Sequence, residues 1–194
     1  FDDGLDDTDG FNNIAAGLKY NFLQIPESET LLTFGARYEI PINDLSTNNI
    51  ELAGDGDGFV NPFLTGSTTI GKLGLQGSVG ANFALDTDED TSFMVYSLHA
   101  DYEVVKGFFP LVELNGFTAF DNADRSKGAL KDLDGADVLN FGSTDRGTTI
   151  TMAGGMRFRF TDNMMVGVAL EQGIDTNNDS VFGTRLTMDA VIHF

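Results

Sequence analysis

The sequence predicts an all-β fold, an antiparallel up-and-down transmembrane β-barrel with nine strands visible. Three observations predict it. Nine segments alternate apolar and polar residues with a period of two, the connections between them alternate short and long, and aromatic residues gather at the segment ends of the apolar side. The 194 residues fit a single domain, residues 1–194. No run approaches the roughly 18 to 20 consecutive apolar residues of a membrane helix, so a chain of this kind that crosses a bilayer must cross it as a closed set of strands. A content of 23 glycines, 17 phenylalanines and 4 prolines suits such a sheet.

The segments are about ten to thirteen residues long, the length of a tilted membrane-spanning strand. In the first, Ile14, Ala16, Leu18, Tyr20 and Phe22 oppose Lys19. In the second, Leu32, Phe34, Ala36, Tyr38 and Ile40 oppose Arg37 and Glu39. The third, 58–70, is less regular, because Phe63 falls on the polar side with Asn61, Thr65 and Ser67. The fourth sets Leu75, Val79, Ala81 and Phe83 against Gln76, Ser78 and Asn82. The fifth sets Met94, Tyr96, Leu98 and Tyr102 against Ser97, His99, Asp101 and Glu103. The sixth, 108–120, again places an aromatic residue, Phe117, on the polar side beside Glu113 and Asn115.

The last three are the clearest. TTITMAGGMRFRF opposes Ile150, Met152, Met156, Phe158 and Phe160 to Thr149, Thr151, Arg157 and Arg159. NMMVGVALEQGI opposes Met164, Val166, Val168 and Leu170 to Gly167, Ala169 and Glu171. FGTRLTMDAVIHF opposes Leu186, Met188, Ala190, Ile192 and Phe194 to Arg185, Thr187, Asp189 and His193.

Alternation alone also describes a soluble sandwich or lipocalin, which buries its apolar face and shows charges outward. The connections decide between them. LQIPESE, GK, VKG and TDN are compact, while 41–57, 85–90, 121–146 and 173–181 are longer, matching the short periplasmic turns and longer external loops of outer-membrane barrels. Tyr20, Phe22, Tyr102, Phe108, Phe158, Phe160 and Phe194 lie at the short-turn end, and Tyr38, Phe83 and Phe120 at the other, as two interfacial girdles would. Phe194 at the end of an alternating strand resembles the C-terminal aromatic signal read by the barrel assembly machinery. The expected location is a bacterial outer membrane with long loops outside and the C-terminus periplasmic. The expected surroundings are the lipid bilayer and its lipopolysaccharide.

The net charge of −19 is concentrated. Residues 1–10 and the four longer loops hold 21 acids and four bases, a balance of −17, leaving −2 for the rest. Mixed charges on a narrow inner wall need partners, because unpaired buried charge is costly. The lumen-lining polar set is therefore Lys19, Arg37, Glu39, His99, Asp101, Glu103, Glu113, Arg157, Arg159, Glu171, Arg185 and Asp189, paired across strands or hydrated.

The acidic loops face an anionic leaflet, so a divalent cation is a natural bridge. Asp55, Asp57, Asp86, Asp88 and Asp90 are the candidate ligands of a loop-bound Ca2+; no other cofactor is implied. Asp86, Asp88 and Asp90 take the first three spacings of a twelve-residue calcium loop, but Thr91 stands where it needs glycine and Ser97 where it needs glutamate. With the C-terminus periplasmic, nine strands put the first one descending from outside. Ten or twelve strands in the intact protein, with at least one before residue 1, are then expected.

LLTFGARYEIP, NPFLTGSTTIGKLGLQGSVGANF and FFPLVELNGF, with the terminal strand, resemble a bacterial outer-membrane family named after a putative MetA pathway of phenol degradation, over about residues 30–194. The resemblance implies a barrel associated with uptake of small organic molecules and carries over no functional residue.

A channel or transporter for small solutes is the leading expectation, from the polar inner face and from small inward residues, Gly155, Gly167 and Ala169, that leave space. Its rival is a structural barrel anchoring acidic loops for a surface partner or cations. Catalysis is not expected. There is no cysteine, and Ser97, His99 and Asp101 stand at successive same-face positions about 7 Å apart, beyond the ~3 Å reach of a nucleophile and its base. Neither a basic patch nor a phosphate-cradling glycine loop is present, so nucleic acid is not an expected partner.

Overall fold

The computed structural model describes residues 13–42, 45–47, 50–53, 57–88, 90–121, 147–174 and 184–193. Among the described residues eleven strands form in chain order: β1 (Ile14–Ile25), β2 (Thr30–Ile40), β3 (Leu45–Thr47), β4 (Ile50–Ala53), β5 (Phe59–Ile70), β6 (Leu73–Ala84), β7 (Ser92–Tyr102), β8 (Phe108–Asp121), β9 (Gly147–Thr161), β10 (Met164–Gly173) and β11 (Thr184–Ile192). Nine of them make one antiparallel up-and-down sheet in the order β1-β2-β5-β6-β7-β8-β9-β10-β11. These are the nine segments read from the alternation. The hairpin of β3 and β4, within the 41–57 connection, was not legible there.

Among the described residues the sheet is open, with β1 bonded only to β2 and β11 only to β10. The compact connections turn where the chain permits it. Gly71 and Gly107 take positive φ in two of them (65° and 81°), and Glu29 does so at 48° after a 3-10 turn at Pro26–Ser28.

The burial of the sheet is inverted relative to a soluble domain. Thr33, Asn61, Ala84, Leu111, Ala119, Thr149, Thr151, Ala153 and Glu171 are buried and belong to the polar face, whereas on the apolar face the large side chains are half-buried or exposed and none of those described is buried. Leu18 is 87% and Met188 73% accessible, against 5% for Thr33 and for Glu171. Among the described residues no large side chain is fully buried. A water-soluble sheet of this size hides its leucines and methionines, and this one presents them.

Three register slips interrupt the ladders of the nine-stranded sheet, and each leaves out a phenylalanine. Phe22 is skipped between β1 and β2, Phe120 between β7 and β8, and Phe160 between β9 and β10. Each of these is a bulge, in which one strand carries an extra unpaired residue. On the apolar face the aromatic residues meet: Phe108 stacks on Phe158 at 4.9 Å, Phe158 neighbours Phe160, and Phe83 meets Phe120 edge-on at 5.7 Å. The two end groups read from the sequence are therefore contact clusters at Phe108, Phe158 and Phe160 and at Phe83 and Phe120. Phe194 lies outside the described residues.

Candidate functional site

The polar face is where the sheet assembles chemistry, and it does so in four networks. Nearest the long connections, Asn13 donates to Glu39 (3.3 Å), Glu39 pairs with Arg37 (3.6 Å), the Arg37 Nε donates to Asn61 (3.1 Å), and Asn61 donates to Asn82. Strand pairing explains the reach, since Arg37 and Asn61 are direct partners in the ladder of β2 and β5.

Next comes His99. It lies opposite Glu113 in the ladder of β7 and β8, and its Nδ1 is 2.7 Å from the Glu113 carboxylate. Its Nε2 is 3.1 Å from Asp101. The expectation that residues two apart on one face cannot meet is corrected here: the Cα spacing is bridged because the Asp101 and His99 side chains lean together. With both ring nitrogens facing carboxylates and Ser97 bonded to Ser78 (2.8 Å), the Ser97–His99 contact needed for a nucleophilic hydrolase is not made.

The third network centres on buried Glu171. Thr151 and Asn115 (3.2 Å) donate to one carboxylate oxygen, and the Arg185 guanidinium donates to the other, Nε at 2.8 Å. In the fourth, Arg157 and Asp189 approach to 3.9 Å across Gly167.

The aromatic exceptions on the polar face also have partners. Phe63 packs onto Gly35 and lies 3.3 Å from where a Gly80 side chain would begin, so two glycines form its seat. Phe117 stacks on Phe93 at 4.7 Å. The same observation corrects the reading of small inward residues as open space. The Gly167 position is filled by Arg157 and Asp189, the Gly155 position by Ala169 and the Gly74 position by Asp101, each of which would collide with an added Cβ.

Of the twelve lining residues expected, Arg37, Glu39, His99, Asp101, Glu113, Arg157, Glu171, Arg185 and Asp189 are joined in these networks. Glu103 accepts from the Gly107 amide (3.0 Å), and Arg159 lies over the Phe109 ring at 5.0 Å. Lys19 has no ion-pair partner among the described residues. The signal that was missed is the neutral polar set. Asn61 bonds to Arg37 and Asn115 and Thr151 to Glu171, while Asn82 and Ser78 extend the polar period through Asn61 and Ser97.

Among the described residues this face borders two adjoining cavities. One of 360 Å³ is bordered by Ser78, Ser97, His99, Glu113, Asn115 and Arg157. The second, of 520 Å³, lies toward the short turns beside Lys72, Asp101, Glu103, Phe109, Arg157 and Arg159, and Ser67, Gln76 and Arg157 border both.

At the proposed calcium loop, the Asp86 carboxylate accepts from the Asp88 amide (3.0 Å) and the Asp86 carbonyl from the Asp90 amide (3.0 Å). This is a local turn, and among the described residues no three acidic or histidine side chains converge as metal ligands. Asp57 is described with its backbone carbonyl accepting from Tyr38 (3.1 Å); Asp55 lies outside the described residues.

No protein-family model matches the chain, and no curated protein matches it. The resemblance to the phenol-degradation outer-membrane family rests on the quoted segments alone.

Proposed function

We propose that the chain forms the wall of a β-barrel in a bacterial outer membrane and gives small solutes a polar path across it. The observation that carries this reading is the inverted burial: an exposed apolar face and a covered, hydrogen-bonded polar one suit a sheet with lipid outside and a narrow aqueous interior. The dimensions agree. Tyr102 lies opposite Leu73, and ten residues separate Leu73 from Phe83. That is about 33 Å of strand at roughly 3.3 Å per residue. At a tilt of roughly 40° it spans about 25 Å, the height of the apolar band of such barrels. Closure of the nine strands into a barrel is part of the proposal, and the polar networks are then lumen contacts. The smaller organic solutes implied by the family resemblance fit cavities of these volumes.

A second reading, a structural barrel that anchors acidic loops for a surface partner, is favoured by the concentration of charge in those loops. Planar-bilayer recording separates the two. Stepwise conductance at neutral pH is the expected result, and a folded, inserted protein with no conductance would exclude the transport reading.

A further inference from the structure

We propose that the 520 Å³ cavity toward the short turns is a binding site for a small organic carboxylate, held by Arg157 and Arg159 with Lys72 nearby. The proposal deepens the transport reading and rests on the polar face being the one solutes meet.

The charges around this cavity are equal in number but not in availability. Its three acids are occupied by the protein: Glu29 accepts from Thr69 (2.8 Å), Asp101 faces His99 (3.1 Å) and Glu103 accepts from the Gly107 amide (3.0 Å). Its three cations are less firmly held. Lys72 and Arg159 have no ion-pair partner among the described residues, and Arg157 reaches Asp189 only at 3.9 Å, with its buried Nε lacking a hydrogen-bond acceptor. Each carboxylate is held by a protein donor on one oxygen, whereas Lys72 and Arg159 have no carboxylate facing them among the described residues, so the donors an anion would use lie on the Lys72 and Arg159 side of the cavity.

Guanidinium groups bind planar carboxylates through two parallel N–H donors, and two of them stand two residues apart on one strand face here. The rest of the lining fixes the class further. Phe109, already beneath the Arg159 guanidinium at 5.0 Å, and Met165 offer apolar surface to the body of a ligand. The volume falls within the range of small-molecule sites. An inorganic anion would use the arginines and leave Phe109 and Met165 without a role.

The test is calorimetric titration of the purified protein in detergent micelles with benzoate, inorganic phosphate and benzyl alcohol. Saturable binding of benzoate is expected, weaker binding of phosphate, none of benzyl alcohol, and an affinity for benzoate that falls with added salt. Arg157→Gln with Arg159→Gln should weaken benzoate binding about tenfold or more. Arg159→Gln and Lys72→Gln, at exposed positions, should each weaken it severalfold even if the double variant folds poorly. Lys106→Gln, an exposed cation in the turn between β7 and β8 that does not border the cavity, should leave it unchanged.

No saturable benzoate binding, or equal affinity in the arginine variants, would overturn the site. Phosphate binding as tightly as benzoate would overturn the organic class. Conductance without benzoate binding removes the site and leaves the channel, whereas benzoate binding without conductance removes the channel and leaves the site.

Discussion

Replacing Glu171 by alanine should cost about 3 kcal/mol of stability, and the structure shows where that comes from. The carboxylate is 5% exposed and accepts from Thr151, Asn115 and Arg185. In its absence the buried Thr151 hydroxyl and the Asn115 amide lose their acceptor, at about 1–3 kcal/mol for each unsatisfied group. Arg185 adds less than about 1 kcal/mol, because its side chain is 55% exposed and water replaces the lost partner. The recovered desolvation of the carboxylate keeps the total toward the lower end. Glu171→Gln retains an acceptor oxygen for Thr151 and Asn115 and should cost only about 1 kcal/mol. Equilibrium urea unfolding in phospholipid vesicles, followed by far-ultraviolet circular dichroism, measures both. An alanine variant within about 0.5 kcal/mol of the parent, or a glutamine variant as damaging as alanine, would refute the account of Glu171 as the acceptor that joins β8, β9, β10 and β11.

Leu98→Arg, mid-strand on the apolar face, should destabilise the protein by about 2–4 kcal/mol in vesicles. A change below about 0.5 kcal/mol, normal for an exposed residue in water, would contradict the lipid-facing assignment. Gly35→Ala should cost about 1–3 kcal/mol, since the new methyl meets the Phe63 ring. The part of that loss due to the ring should vanish in a Phe63→Ala background, leaving the approach to the Leu18 carbonyl at 2.9 Å, and fully additive effects in the double variant would show that the two side chains do not touch. His99→Leu leaves Asp101 and Glu113 without their bridge and should lower the urea midpoint by the equivalent of about 2 kcal/mol; adding Glu113→Leu should restore part of it, and a further loss would refute the pairing.

Period-two alternation made the nine long strands legible, because a strand with different solvents on its two faces must write that difference into every second residue. The same rule marked Phe63 and Phe117 as irregular without explaining them. Their explanation is cross-strand: Gly35 and Gly80 seat one ring and Phe93 stacks on the other, and no single segment contains that information. Partners across a ladder were foreseen only as a class. Pairing His99 with Glu113 and Glu171 with Arg185 requires the register. Spacing along one strand misled the reading of His99 and Asp101, since Cα positions fix a side chain's origin but not its reach. The inward glycines misled it too. Absence of a side chain in the sequence became, in the sheet, the place where a neighbour's side chain lies.

The three skipped phenylalanines have a meaning beyond aromatic packing. A bulge leaves a backbone N–H and C=O out of the ladder, and in hydrocarbon such groups cost several kcal/mol, while at a wet headgroup layer they are satisfied. If the sheet stands in a bilayer as proposed, ladder defects record how far water reaches along the wall, independently of any hydropathy. Phe22 and Phe160 set that limit at the short-turn end and Phe120 at the other. At each, the residue that breaks the pairing is also the kind of residue that prefers the boundary.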